Sequence, residues 1–251
     1  MTLASETSLQ KLQFYVTTAY ACGYLPNKLA QSLVAIPQDL VDTNVYNNLI
    51  QQGFRRSGMF VYRPHCETCN ACISVRVILE EFVSSRSQKR AYKQHKNLTA
   101  NVMPVTFRPE HYDLYAKYQL ARHADDIIKA ESKTEVDEVE QYRTFLCQSN
   151  VESVMVEFRQ NQQLKMVSVI DIVRDGISAV YTFYDTDDHK ASLGTYNVLW
   201  QIEWARSLQL PFLYLGYWIE HSQKMAYKEK FQPLQKLLDG EWLPLMPAQS
   251  Q

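Results

Sequence analysis

Val180-Tyr181-Thr182-Phe183-Tyr184-Asp185, then Gly194-Thr195-Tyr196-Asn197 after a polar loop, then Pro211-Phe212-Leu213-Tyr214-Leu215-Gly216-Tyr217, is the stretch that decides the fold. Its first segment is β-branched and aromatic and reads as a strand ending at an acid. Behind Gly194, Val198, Ile202, Ala205 and Leu208 recur at helical spacing, so a helix with free backbone N–H groups at its start begins just past that strand. Pro211 to Tyr217 is a second strand. Its Gly216-Tyr217-Trp218 exit runs into Lys224-Met225-Ala226-Tyr227-Lys228, where two lysines four apart face one side of a helical turn. Strand ends and a helix start converge on a cleft, and an aromatic and lysine rim suits a polyanionic or nucleotide ligand.

Working outward, Ser153 to Phe158 and Lys165 to Val173 read as strands joined through Asn161-Gln162-Gln163, and Gly176 turns the chain into the strand at 180. Three consecutive antiparallel strands before a helix and a further strand predict an α+β layered domain. Thr99 to Phe107 predicts a strand and Pro109 to Arg122 a helix. The acidic run Asp125 to Glu140 predicts a solvated loop and helix start without chemistry. Asp42 to Gln52 predicts a helix capped by Asp42 or Thr43 and stopped by Gly53. Met59 to Arg63 and Ile73 to Val77 predict strands, and alternation in the second puts Ser74 and Arg76 on one face, with Arg76 directed toward a pocket. The tail after Trp242 is expected to fray.

Arg86, Lys89, Arg90, Lys93 and Lys96 fall on one helical stripe with no acid between them. Such a stripe can follow a phosphate backbone, each contact displacing a counterion. The chain as a whole carries a formal net charge of only -1, which excludes coating nucleic acid by bulk charge and leaves local basic faces to do so. At 251 residues, 46% hydrophobic and 21% charged, it has the length and composition of a globular protein with a substantial core. Met1 to Phe14 lacks a basic stretch followed by an apolar one, and no segment approaches ~20 apolar residues, so neither a secretion signal nor a membrane span is expected.

Five cysteines, three of them spaced as Cys66-x-x-Cys69-x-x-Cys72, fit a reducing compartment, taken as the cytoplasm, better than a disulfide framework. With Cys22 as a distant fourth thiol, Cys66, Cys69 and Cys72 could hold zinc or an iron-sulfur cluster, and His65 is an alternative ligand. Reduced structural cysteines are the plainer alternative. No G-x-S-x-G, Walker or dinucleotide glycine pattern is present, which leaves hydride and phosphoryl transfer unsupported. A reaction that needs only the positioning of two substrates remains open.

Several motifs in order resemble a known family: Tyr24-Leu25-Pro26, Gly53-Phe54-Arg55-Arg56-Ser57-Gly58, Tyr62-Arg63-Pro64-His65-Cys66, Cys69-x-x-Cys72-x-x-Val75-Arg76-Val77, Tyr181-Thr182-Phe183-Tyr184-Asp185, Gly194-Thr195-Tyr196, Tyr214 to Ile219 and Lys224 to Lys228. They look like the bacterial aspartate/glutamate leucyltransferases, relatives of the eukaryotic arginyl-tRNA-protein transferases, from about Leu12 to Trp242. The resemblance implies transfer of leucine from leucyl-tRNA to proteins beginning with Asp or Glu, marking them for degradation by an N-degron pathway. It also implies a GNAT-like transferase domain, residues 99–251, used without acetyl-CoA and packed as one unit with an N-terminal cysteine-containing α/β region, residues 1–98. Where the relatives carry Cys-Gly-Tyr-Cys, this chain reads Cys22-Gly23-Tyr24-Leu25, which weakens any carry-over of a metal cluster. No cofactor is then required for transfer.

An aminoacyl-tRNA ester is already activated, so amine attack needs proximity, proton removal and oxyanion stabilisation rather than a covalent intermediate. Asp185, Tyr184 and Lys224 are the expected catalytic groups. An acceptor carboxylate calls for a cation, and Arg76 with Ser74 is preferred over Arg55 and Arg56. Lys228, with Tyr217, Trp218 or Tyr227 as stacking platforms, is expected at the tRNA 3′ end, and the stripe from Arg86 to Lys96 along the acceptor stem. Arginyl transfer, which would need a buried acid such as Asp171, a non-catalytic tRNA or N-degron-binding module, and a small-molecule N-acetyltransferase are the rival readings.

Overall fold

The computed structural model describes residues 9–128, 135–187 and 192–246. The chain opens with strands β1 (Gln13–Val16), β2 (Tyr20–Ala21), β3 (Leu29–Ala30) and β4 (Ser32–Ile36), then helix α1 (Thr43–Gln51) and strands β5 (Arg55–Ser57), β6 (Phe60–Pro64) and β7 (Ile73–Ile78). Helix α2 (Arg86–Gln94), strand β8 (Thr99–Pro104) and helices α3 (Pro109–Ile128) and α4 (Glu135–Tyr142) follow. Strands β9 (Ser153–Gln160), β10 (Gln163–Val173) and β11 (Gly176–Tyr184), helix α5 (Leu193–Ser207), strand β12 (Phe212–Trp218), the single turn α6 (Gln223–Ala226) and the hairpin β13 (Leu234–Leu238) with β14 (Glu241–Leu245) complete it.

The architecture is α+β, as expected. Eight strands form one sheet in the order β14-β13-β7-β12-β11-β10-β9-β8, and β1-β4-β6-β5 form a smaller antiparallel sheet. Strand β7, from the expected N-terminal region, lies inside the large sheet between β13 and β12, so the two expected regions share one sheet. Alternate side chains of β10 feed opposite faces: Met166 and Ile170 pack with Leu199, Ile202 and Ala205 of α5, while Val167 and Val169 pack with Met155, Phe183 and Tyr142. On the second face, α1 and the small sheet bury Val45, Leu49, Phe54 and Val61 against Val173 and Tyr214.

Local chemistry explains the boundaries. Asp42 accepts the Val45 N–H at 2.8 Å and caps α1, and Gly53, at φ +84°, ends it. Ser85 and Gln88 form a capping box at the start of α2. Asn161 and Gln162 both take positive φ, which the tight turn between β9 and β10 requires. The expected fraying after Trp242 is corrected: β14 pairs with β13 through Leu245, and Pro244 is tolerated because β14 is an edge strand. The acidic run divides into the end of α3 and all of α4, with 129–134 outside the described residues.

One buried ion pair ties the small sheet to the large one. Arg56 of β5 grips Asp171 of β10 through Nε at 3.1 and 3.0 Å and Nη2 at 2.5 Å, and Ser153 donates to the same carboxylate at 2.7 Å. Both charged side chains are essentially inaccessible to solvent. Removing one partner of such a pair costs about 3–5 kcal/mol because the other stays buried and unpaired. Arg56→Met is therefore expected to lower the unfolding free energy by that amount in urea titrations. A loss below about 1 kcal/mol would show that Asp171 finds another partner or water.

Candidate active site

Strands β11 and β12 run parallel but pair only over Gly176 to Ser178 and Phe212 to Tyr214. Beyond that point they part, and β12 shifts its register against β7 between Tyr214 and Gly216. The gap opens into a cavity of about 830 Å³ whose walls include Ala179 to Thr182 and Tyr184 from β11 and Leu215 to Tyr217 from β12. Leu193, Gly194 and Thr195, the first residues of α5, close one side. Asn197 anchors that helix start: it accepts from Ser168 at 2.6 Å and donates to Thr182 at 2.9 Å, and Thr182 donates to Ser168 at 3.2 Å. The expected cleft at the strand ends is thus present.

Arg55 sits in the wedge between the strands. It donates through Nη1 to Ser178 Oγ at 2.9 Å and through Nη2 to the Ala179 carbonyl, at the point on β11 where pairing with β12 ends. Gly216 lies directly over the guanidinium: a Cβ there would come within 3.2 Å of it, and the residue's φ of +77° already favours glycine. Arg55 forms no ion pair with a carboxylate among the described residues. The cavity wall holds four further basic side chains, Arg56, Arg122, Lys224 and Lys228, and no Asp, Glu or His among the described residues.

Other expected residues are placed differently. Ser74 and Arg76 do share a face, yet neither lines this cavity. Ser74 donates to the Gly53 carbonyl at 3.2 Å. Arg76 donates to Gln235 at 2.8 Å and to Gln51 and Tyr214 at 3.1 Å, and its guanidinium lies 3.7 Å over Phe212 and 4.3 Å over Trp242. Its charge is already met by Asp175 at 3.8 Å and by the two rings it stacks on. Asp185 does not line the cavity either. Burial raises its carboxyl pKa, but hydrogen bonds from Lys165 at 2.9 Å, the Asp187 backbone and Lys117 outweigh it and hold the group down at about 2. Such a carboxylate is too weak a base for the expected role.

Tyr184 lines the cavity and accepts from Arg122 at 3.3 Å. Tyr217 lines it too, its hydroxyl fastened to the Gly53 and Tyr62 carbonyls at 3.0 and 3.3 Å. Trp218, only 9% exposed, belongs to the core under α5 and offers no stacking face. Tyr227, 41% exposed, is the rim aromatic that remains. Lys224 is exposed at the rim, whereas Lys228 is turned inward and buried. Tyr24, Tyr62, Tyr118, Arg122 and Met225 complete the wall without having been expected there.

Arg86, Lys89, Arg90 and Lys93 lie exposed on α2, with Gln88 and Ala91 turned into the protein; Lys96 is corrected, because the helix ends at Gln94 with His95 as its cap and leaves Lys96 exposed beyond the helical stripe. The end of α2 meets the start of α5: Tyr92 and His95 pack on Tyr196 at 5.4 and 5.2 Å. The basic surface therefore reaches the first turn of α5, whose Gly194 and Thr195 line the cavity while Tyr196 does not. The cysteines lie near Tyr24 and Lys228 of the cavity wall. Burial first, then the neighbouring Cys22, Cys66 and Cys69, push the Cys72 thiol up to about 12. Cys66 and Cys69 face each other across an antiparallel bridge. The four thiols converge, but among the described residues no three Cys, His, Asp or Glu side chains are arranged to hold a metal ion. No chemistry is assigned to a metal there.

Comparison with known proteins gives a consistent result. Models of the arginine-tRNA-protein transferase family match residues 20–90 with the family's N terminus and residues 110–238 with its C terminus. An aspartate/glutamate leucyltransferase of Methylobacillus flagellatus is 61% identical, covering 98% of this chain and 96% of the relative. Proteins of the same name from Polynucleobacter necessarius and Nitrosospira multiformis are each 50% identical, covering 98% and 96% of this chain and 98% and 94% of their own. Among solved structures, FemX is similar over 91% of this chain and 86% of its own, at 8% identity and a TM-score of 0.44.

The Asp185 cluster makes a prediction about stability. A carboxyl held at about 2 in the fold against 3.8 when unperturbed contributes roughly 2 kcal/mol. Because its folded pKa is depressed, that contribution is present above the unfolded value and is lost as pH falls toward about 2. Asp185→Asn should therefore be less stable than the parent by that amount at neutral pH, and the difference should vanish in acid. Equal stabilities at neutral pH would mean that Lys117 and Lys165 gain nothing from the carboxylate.

Proposed function

The chain belongs to the arginine-tRNA-protein transferase family, together with the aspartate/glutamate leucyltransferases, and from that premise we propose that it moves leucine from leucyl-tRNA to the α-amino group of proteins beginning with Asp or Glu. Such proteins would thereby be marked for degradation. The observation that carries the proposal is the lining of the cavity: five basic side chains and no carboxylate among the described residues, at the mouth of a parallel strand pair. Both substrates are anionic where they meet the protein, one through its phosphates and the other through its first side chain. The splay of β11 from β12 beside α5 also supports a GNAT-like reading of this half of the chain.

Arg55 is the group assigned to the acceptor carboxylate, because it lines the cavity and has no acid of its own. Leu193, Val198, Leu215 and Met225 supply apolar wall for a leucyl side chain. An arginyl side chain would look for a buried acid, and Asp171 is already held by Arg56. Tyr227 at the rim is positioned to stack on the terminal base of the tRNA, and α2 to follow its acceptor stem. The ester carries its own activation, so binding, alignment and proton transfer are the whole task. No helix among the described residues is long and apolar enough to cross a membrane.

The decisive assay supplies leucyl- or arginyl-tRNA with peptides beginning with Asp, Glu or Lys. Leucine should pass to the Asp and Glu peptides only; absence of transfer from either tRNA would overturn the enzyme, and arginine transfer would reassign the donor. Arg55→Gln should cost about 2–5 kcal/mol in kcat/KM for the acidic peptides while leucyl-tRNA still binds. Neutralising Lys89, Arg90 and Lys93 together should lower the salt slope of tRNA binding by about 2–3, and an unchanged slope would return α2 to plain surface. Because no cofactor is required, transfer should survive exhaustive chelation. Activity lost to a chelator and restored by zinc or iron would make the cysteines a metal site.

A further inference from the structure

The attacking amine must give up a proton, and the cavity restricts which group can take it. Among the described residues lining it there is no His, Asp, Glu or Cys. Its arginines do not deprotonate in proteins. Burial, the largest cause in each case, raises the phenols of Tyr24, Tyr62, Tyr118, Tyr181, Tyr217 and Tyr227, so none is a ready base, and the Tyr184 hydroxyl already accepts from Arg122 at 3.3 Å. Two lysines are left, and they differ. Lys224 is solvated at the rim, whereas Lys228 is 5% exposed and set into the wall.

Lys228 Nζ reaches the Tyr217 carbonyl and, at 3.2 Å, the Met225 sulfur. No carboxylate pairs with it among the described residues, and Arg55 stands on the same cavity wall. A buried ammonium beside a guanidinium and without a counter-ion is a poor arrangement; a neutral amine there is a good one. Resting on the leucyl-transfer reading above, we propose that Lys228 is the proton acceptor of the transfer step.

The neutral Lys228 amine takes one proton from the acceptor's α-ammonium, leaving a lone pair free. That nitrogen forms a C–N bond to the leucyl carbonyl carbon while the ester's C–O bond to the terminal ribose breaks. The second proton lost by the nitrogen goes to the leaving ribose oxygen, and Lys228 returns its own proton to water. One amide, one free tRNA end and one proton result, so nothing is oxidised or reduced.

The electrostatics agree with the geometry. Burial, then the charge of Arg55, lowers the Lys228 ammonium to about 7, with Cys72 opposing. The groups facing it are Arg55 from β5, Cys72 from the segment before β7, Tyr217 from β12, and Tyr227 on its own turn with its ring 6.0 Å away. An amine that titrates near neutral pH suits a general base.

The test is single-turnover transfer from leucyl-tRNA to an Asp-initiated peptide as a function of pH, with Lys228→Arg beside the parent. Arginine keeps the charge and can still donate to the Tyr217 carbonyl, but it cannot lose its proton. It should lower the transfer rate about a hundredfold or more with the peptide KM and tRNA affinity kept. In the parent the rate should rise through about pH 7. That limb should stay in place with an acceptor of less basic α-amine, since it belongs to the enzyme.

An independent readout is ¹³C NMR of ε-labelled lysines in the full chain, the resonance missing in Lys228→Arg giving the titration of Lys228 without any turnover. A midpoint far below the ordinary lysine value of ~10.4 is expected. Full activity in Lys228→Arg, or an ordinary midpoint, overturns the proposal. A parent protein that transfers nothing overturns the function on which it rests, an outcome the NMR titration keeps distinct.

Discussion

The cavity depends on Arg55 standing between two strands that no longer touch. Parallel strands that separate leave backbone groups without partners, and a buried carbonyl without a donor is costly. Arg55 answers for the Ala179 carbonyl and the Ser178 hydroxyl on β11, and the absence of a side chain on Gly216 gives it room beneath β12. The residue that keeps the sheet open is thus also the one that brings a fixed positive charge into the opening. Structure and recognition share a single side chain.

The electrostatic plan follows from that choice. The acids near the cavity are all engaged elsewhere: Asp171 by Arg56, Asp175 by Tyr214 and Gln51, and Asp185 by Lys117 and Lys165. The charged side chains that remain facing the space are all basic. A surface that gathers positive charge around a confined volume attracts anions and destabilises any further ammonium inside it. Lys228 feels both effects through its burial and its nearness to Arg55. The exposed stripe on α2 extends the same field outward along the surface.

The strand-helix-strand frame was legible in the sequence because its signals are local: β-branched and aromatic runs, helical spacing behind Gly194, and the cap at Asp42. The site was only partly legible, and the reasons are specific. Alternation tells that Ser74 and Arg76 share a face but not which face the cavity opens on, and Arg76 turns out to be enclosed by Gln51, Tyr214 and Gln235. Asp185 looked free because the lysines that neutralise it are 20 and 68 residues away in the chain. The same alternation applied one residue further would have separated Tyr217, in the cavity wall, from Trp218, in the core. The burial of Lys228 left no local mark, since Lys224 one turn earlier is solvated.

The account is tested most directly by a crystal structure of the protein with a bound peptide beginning with Asp. It predicts the side-chain carboxylate on the guanidinium of Arg55, in the gap between β11 and β12, with the α-amine within hydrogen-bond reach of Lys228. A carboxylate seated on Arg76, or a peptide bound outside that gap, would contradict it.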